Sequence, residues 1–287
     1  MSRLAAATAF ALLAFAANSV LCRMALRTAH IDPASFMSVR LIAGAVTLWL
    51  LLGIGGRGRR LGGDWQAALA LLVYAITFTF AYVGLTAGTG ALLLFGAVQV
   101  VMIAAGFVGG ERIDRITALG WLLAVGGLVL LLLPGITAPP TRDAILMLIA
   151  GCGWGLYSLH GRSSVTPLAD NAGNFVRSIP GTLLISALFW RQRAADAEGI
   201  ALAALSGSIA SGLGYAAWYT ALPRLGAIAA ANAQLSVPVL AALAGVLLFA
   251  EPVTARLALA SALVLGGTAL AVRRALAAKN AAVLSEP

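Results

Sequence analysis

Charge is scarce in this chain. Only 10% of its 287 residues are Asp, Glu, Lys or Arg, where a soluble domain carries about 25%. Such a sequence cannot cover a water-facing surface, which excludes an ordinary soluble fold. Carboxylates are scarcer still. Asp32, Asp64, Glu111, Asp114, Asp143, Asp170, Asp196, Glu198, Glu251 and Glu286 all fall at the ends of apolar runs, in the breaks between them, or in the tail. Proton-driven carriers commonly hold an acid at mid-membrane depth. None is expected here, so passage down a substrate gradient is the expectation. There are two histidines: His30 lies in a break, and His160 stands beside Gly161 and Arg162, as at a solvated helix end. Two histidines without a buried acid leave no constellation for an enzyme. The two cysteines, Cys22 and Cys152, show neither a CxxC nor metal-ligand spacing and read as small buried hydrophobes. No GxxxxGK[ST] phosphate loop drives the chain with ATP, and the rings of charge expected of a channel are missing. No cofactor and no metal is expected. The net charge of +9 does not indicate nucleic acid, because in an apolar chain excess Lys and Arg mark cytoplasmic loops.

What is abundant is apolar length. Hydrophobic residues make up 61% of the chain, and the mean hydropathy is +0.96. Ten apolar segments stand out: 3–23, 33–54, 65–86, 89–109, 116–134, 143–161, 172–190, 199–220, 226–249 and 254–274. Each approaches the ~20 residues of helix that cross a hydrocarbon core ~30 Å thick. The breaks, "GGRGRRLGGD" and "PGITAPPTRD" among them, hold turn formers and charges, and none has room for a soluble domain. The first run exceeds the ~7–15 apolar residues of a signal peptide, and the second follows closely, so the first reads as a helix. The expectation is an all-α polytopic protein of ten transmembrane helices, with lipid around it. Ten spans put both termini on one side. The loops on that side are richer in Lys and Arg, chiefly through "RGRR", which places both termini in the cytoplasm of a bacterial-type inner membrane.

An internal repeat organises the spans. "GERIDRITALGWLLAVGGLVL" and "AEPVTARLALASALVLGGTAL" align at an offset of 140, pairing Glu111 with Glu251, Leu119 with Leu259, and Gly126–Gly127 with Gly266–Gly267. At an offset of 137, Arg40 meets Arg177 and Tyr82 meets Tyr219. The chain reads as two five-helix repeats, residues 1–137 and 138–287. Five is odd, so the second repeat enters the membrane from the opposite side. Inverted repeats of this kind are an architecture of secondary transporters, whose substrate sits between the halves and is exposed alternately to each side. The glycine pairs permit close helix approach. Whether they also make a dimer is left open.

Polar residues within spans are costly and should face the interior. Arg40 and Arg177 each stand about 10 Å below a helix end at 1.5 Å per residue. There they read as gating or structural charges, either snorkelling, binding helix-end carbonyls, or meeting a substrate carboxylate. Their duplication favours the structural role. "GCGWGLYSLHGR" sets Trp154, Tyr157, Ser158 and Gly161 on one helical face, and "SGLGYAAWYT" sets Ser211, Tyr215 and Trp218 on another. Rings beside glycines suit a planar or aromatic small molecule. They equally suit helix packing. Asn18, Gln99 and Asn232 are deep amides, able to bind a substrate or to bridge helices. Tyr82 is a further cavity candidate. Pro238 frees the carbonyl of Gln234 and marks a break that could expose backbone.

The five-plus-five layout resembles the EamA-type branch of the drug/metabolite transporter superfamily. The resemblance rests on "PASFMSVRLIAGAV", "GGERIDRITALGWLLAVGGL" and "LSVPVLAALAGVLLFAEPVTARLALASALVLGGTAL", in which Pro238 and Glu251 stand thirteen apart. Val98 departs from the proline often found in the first half. The stretch "ALLLFGAVQVVMIAAGFVGGERI" is most similar to the aromatic amino-acid exporter subgroup. The resemblance implies an inner-membrane exporter of amino acids or similar metabolites. A sugar-nucleotide or organic-phosphate translocator, or a drug or metabolite efflux carrier, is the alternative.

Overall fold

The computed structural model describes residues 3–54, 60–108, 115–221 and 233–284. Ten helices account for nearly all of them: α1 (Arg3–Arg27), α2 (Pro33–Ile54), α3 (Trp65–Ala81), α4 (Ala87–Val108), α5 (Arg115–Leu132), α6 (Thr141–Arg162), α7 (Pro167–Leu188), α8 (Ala197–Ala221), α9 (Ser236–Phe249) and α10 (Ala255–Leu284). Among the described residues, α1, α2, α4, α5, α6 and α8 are long and apolar enough to cross a membrane; α3 and α9 are shorter apolar helices, as is α10 over Ala255–Ala271. The polarity of α7 comes from Asp170, Asn171, Asn174, Arg177 and Ser178.

Local chemistry sets the helix ends. Asp64 accepts the Ala67 N–H at the start of α3 (2.8 Å), and Asp196 accepts that of Gly199 at the start of α8 (2.7 Å), as N-caps do. The seventh segment, expected from 172, begins five residues earlier, because Pro167 is pre-organised for the first turn of a helix. The third ends at Ala81 and not at 86, so Tyr82 follows the helix.

The polarity of the bundle is that of a membrane protein. Leu13, Val46, Leu50, Leu122, Leu184 and Leu247 face outward, while Asn18, Ser38, Arg40, Gln99, Thr182, Ser206 and Ser211 are buried. Cys22 is buried as expected, but Cys152 is exposed. On the outside of an apolar bundle a weakly polar thiol faces lipid at little cost.

Two faces close the bundle. The near face carries the start of α1 and the residues before α3 and α7. There Gly62 N–H donates to Ala169 O (3.0 Å) and Gly63 N–H to the Asp170 carboxylate (2.8 Å). The far face joins the α1–α2 and α7–α8 links through Asp32 N–H to Ala194 O (2.7 Å) and Asp196 N–H to His30 O (2.8 Å).

Within the bundle α5 packs on α10, α2 on α7, and α4 on α9. The helix α6 lies against α3 and α4, and α1 lies against α8 and α9. The α5–α10 contact is close because it is made of glycine. A methyl at Gly120 would overlap the Gly267 carbonyl oxygen, and one at Gly127 would fall 2.9 Å from that of Ala260. The neighbours Gly126 and Gly266 face open space.

Candidate functional site

The α8 helix widens into π-helical turns over Ser206–Leu213, a distortion frequent at functional sites. Its sequence, "SGSIASGL", is small enough for α2 to lie against it: a methyl at Gly207 would overlap the Arg40 carbonyl oxygen. The widened turns aim two hydroxyls inward. Ser206 donates to the Asn18 amide oxygen (2.7 Å), and Ser211 accepts from Arg40 Nε (3.2 Å). Asn18 Nδ2 donates to Tyr74 Oη (3.0 Å), and so does Arg40 Nη2 (2.9 Å). Asn18 therefore bridges α1, α3 and α8.

Arg40 is the unusual member. It is 0% exposed, level with residues in the middle of α3 and α8. It neither snorkels nor binds a helix-end carbonyl. The rings of Tyr74 and Phe78 lie 5.2 and 4.9 Å from its guanidinium carbon, and each contributes roughly 0.5–2 kcal/mol as a cation–π contact. Among the described residues its Nη1 has no partner. Among the described residues Arg23 pairs with Glu251 and His30 with Asp196 and Glu198, but no carboxylate pairs with Arg40. An effective penalty of several kcal/mol attends each buried ion. Two neutral acceptors and two ring faces are a weak substitute for a counter-charge.

From Tyr74 a continuous set of rings leads toward the near face. Tyr74 lies 5.2 Å from Trp154, which lies 4.7 Å from Tyr215 and 5.7 Å from Tyr157. Phe15 of α1 stands in the middle, edge-on to Trp154 (5.6 Å), Tyr215 (5.9 Å) and Trp218 (5.6 Å). Trp154 Nε1, Trp218 Nε1, Tyr215 Oη and Ser158 Oγ are buried and unpaired, and each such neutral group costs ~1–3 kcal/mol. Tyr157 Oη donates to Asn171 (2.5 Å), and Tyr219 Oη to the Tyr157 carbonyl (3.3 Å). Tyr157, Tyr219 and Asn171 line a near-face cavity of about 280 Å³. A far-face cavity of about 360 Å³ is lined by Leu26, Phe80, Arg142 and Phe189 among others, and none of the ring cluster reaches it.

The structure thus brings together Asn18, Arg40, Trp154, Tyr157, Tyr215 and Trp218. Tyr82 is one ring removed, packed edge-on against Phe78 at 4.8 Å near the far face. Gln99 is buried in α4, a helix that supplies none of these rings. Arg177 stands apart on the near face, donating to Gly62 O (2.5 Å) with Trp65 6.0 Å away. Asn232 lies outside the described residues, as does the first part, 226–232, of the segment expected at 226–249. Phe15, Tyr74, Ser206 and Ser211 complete the constellation. Phe15 and Ser206 carry no individual signal in the sequence, although the small-residue run "SGSIASG" is one for a distorted, closely packed helix.

The far face is tied down by charge. Arg23 Nε donates to Glu251 Oε1 (3.0 Å), whose Oε2 accepts the Ala87 N–H at the start of α4 (2.8 Å). Arg23 Nη1 also donates to Tyr82 O and Val83 O (both 3.3 Å), and Arg27 donates to Phe249 O (3.0 Å). Glu251 thus meets an arginine and a helix N-terminus. Its repeat mate Glu111 lies outside the described residues.

Comparison with known proteins fits this arrangement. Residues 142–273 match the EamA-like transporter family. The chain is 54% identical over 264 residues to the uncharacterized protein PA1977 of Pseudomonas aeruginosa, covering 92% of each. It shares its fold with a protein solved by crystallography, at a TM-score of 0.69 and 20% identity, over 94% of this chain and 98% of that one. The chain belongs to the EamA-like transporter family, as a multi-pass membrane protein that carries small molecules and not as an enzyme.

Proposed function

We propose that this protein is a secondary transporter that exports small metabolites, foremost aromatic or other apolar amino acids, across the inner membrane. It works by alternating access between two inverted five-helix repeats, residues 1–137 and 138–287. The observation that carries the reading is Arg40, a buried cation without a counter-charge among the described residues, beneath a ring cluster that leads to the near-face cavity.

Helix packing supports the inversion. Shifting each helix by five maps α2·α7, α4·α9 and α5·α10 onto themselves, α3·α6 onto α8·α1, and α4·α6 onto α9·α1. Residues follow suit. The offset of 140 carries Gly120 to Ala260 and Gly267 back to Gly127, and both Gly120 against Gly267 and Gly127 against Ala260 are close contacts. Tyr82 follows α3 on the far face, while Tyr219 ends its ring path on the near face.

Loading from the near face is favoured. Its cavity shares Tyr157 with the ring cluster, whereas the far face is held by Arg23 and Glu251. With both termini in the cytoplasm the near face is the inner one, and loading there makes the direction export. Rocking one repeat against the other would part Phe15 from the rings of α6 and α8 and open the far side. A single buried guanidinium matches one negative charge, which favours an amino acid over a sugar nucleotide or phosphate ester, whose charge calls for several cavity cations. Passage follows the substrate gradient, since the described carboxylates lie toward the faces. Counterflow in proteoliposomes with an amino-acid panel tests the reading. Exchange of tryptophan or phenylalanine that survives collapse of the pH gradient is expected. No exchange of any panel member would overturn it.

A further inference from the structure

The ring cluster offers an uneven set of polar atoms. Arg40 Nη1, Trp154 Nε1 and Trp218 Nε1 are buried and unpaired, and all three can only donate. Tyr215 Oη and Ser158 Oγ are also unpaired among the described residues, but they are neutral hydroxyls that can donate or accept, while Asn18 Oδ1 takes the Ser206 hydroxyl and Tyr74 Oη takes both Asn18 and Arg40. Asp64 and Asp170 border the near-face cavity. Their oxygens already accept from Ala67 N–H, from Gly63 N–H, and from the hydroxyls of Ser164 and Thr166. A carboxylate is acceptor-only and monoanionic, and it fits this set. An ammonium group finds no carboxylate to receive it among the described residues of the cluster.

We infer that Arg40 binds the carboxylate of the transported molecule, and that the site selects planar aromatic monocarboxylates by the acid and the ring, not by an amino group. This rests on the transport reading for the cluster's role and narrows its substrate class. Phe15 marks the ring's place: it meets Trp154, Tyr215 and Trp218 edge-on, the geometry an aromatic substrate would adopt after displacing it. The carboxylate then reaches Nη1, the one nitrogen of Arg40 that Tyr74 and Ser211 leave without a partner.

The test compares ligands on the full-length wild-type protein in nanodiscs, then repeats them on variants. Binding of indole-3-propionate, tryptophan and tryptamine is measured by equilibrium dialysis, and their counterflow in proteoliposomes. Indole-3-propionate is expected to bind at least as tightly as tryptophan, and tryptamine about tenfold or more weakly, as loss of a charge-assisted bond implies. Arg40→Gln should lose indole-3-propionate by a similar factor and Arg40→Lys by less. Arg177→Lys, away from the cluster, serves as the folded control and should bind as wild type. Equal binding of tryptamine and indole-3-propionate by the wild type overturns the inference, even if Arg40→Gln does not fold. Counterflow indifferent to the carboxylate would overturn it while leaving the transport reading in place. Arg40-dependent carboxylate binding without counterflow would uphold it and overturn the transport reading.

Discussion

Arg40 and Arg177 pair at an offset of 137 in the sequence and live in different surroundings. Arg40 is sealed among Tyr74, Phe78 and Ser211 with one nitrogen unpaired. Arg177 reaches the near face and holds the Gly62 carbonyl beside Trp65. The difference lies in what each helix meets. Around Arg40, α8 widens into π-helical turns that present Ser211. Arg177 instead comes up against the backbone entering α3. One arginine is thus a buried charge within the ring cluster, and the other is a clasp between α7 and the link before α3. The sequence pairing alone argued for a structural role in both, because matched positions in a sequence do not report which neighbours each side chain meets.

The sharpest way to break this comparison is to remove each charge in turn. Arg40→Ala is expected to lower counterflow by about 10–100-fold, the equivalent of a charge-assisted interaction lost from a buried site. Arg177→Ala should leave counterflow within about threefold and lower thermal stability instead. Equal transport defects in the two variants would erase the distinction between them.

The next effect concerns the close glycine seam between α5 and α10. Gly120→Leu and Gly267→Leu each force a side chain onto the opposing backbone, with an overpacking cost of ~1–3 kcal/mol or more. Gly126→Leu and Gly266→Leu point into open space and should be tolerated. Melting of the four purified variants checks this, and a matched pair of large and small effects in each half is the expected pattern.

At the far face, Glu251→Gln should cost ~1.5–3 kcal/mol, since its partner Arg23 is mostly buried. A double-mutant cycle with Arg23→Gln separates this pair from the bond to Ala87 N–H. The same variant should ease reagent access to the far side of the ring cluster, whereas the near face, closed by Asp170 and Arg177 through bonds to backbone and hydroxyls, should not respond.

The smallest expected effect is pH dependence of the far-face link. Asp196, hydrogen-bonded to His30 Nδ1 at 2.7 Å, raises the His30 pKa above its ordinary 6.5. The Gly199 N–H, followed by His30, lowers that of Asp196 below its ordinary 3.8. The His30 contribution is complete below pH 6.5 and is lost as pH climbs through its raised value. That of Asp196 is complete above pH 3.8 and is lost as pH falls through its lowered value. Amide exchange over 28–32 and 190–196, corrected for intrinsic rates, should therefore be faster at about pH 9 than at about pH 5.5. His30→Gln should remove the difference.

Much of this was legible in the sequence. Apolar runs separated by turn formers gave the helices, because lipid leaves a backbone few other ways to satisfy itself. The i, i+3, i+4, i+7 spacing put Trp154, Tyr157 and Ser158 on one buried face, as observed. The offset of 140 drew attention to the glycines of α5 and α10, of which Gly127 and Gly267 make the contact. Three features were out of reach. Snorkelling was judged from the depth of Arg40 along its own helix, but burial depends on which helices stand around it. The widened turns of α8 lie closely against α2, a tertiary setting with only a compositional trace in the sequence. Phe15 looked like any other apolar residue of α1, since nothing in its own segment reveals the rings of α6 and α8 that surround it.

A structure of the protein with indole-3-propionate bound in a nanodisc tests the central claim most directly. The expected result is a carboxylate oxygen within about 3.2 Å of Arg40 Nη1, with the indole against Trp154 and Trp218 where Phe15 now stands. A ligand seated elsewhere, with Phe15 in place and Arg40 Nη1 still unpaired, would contradict it.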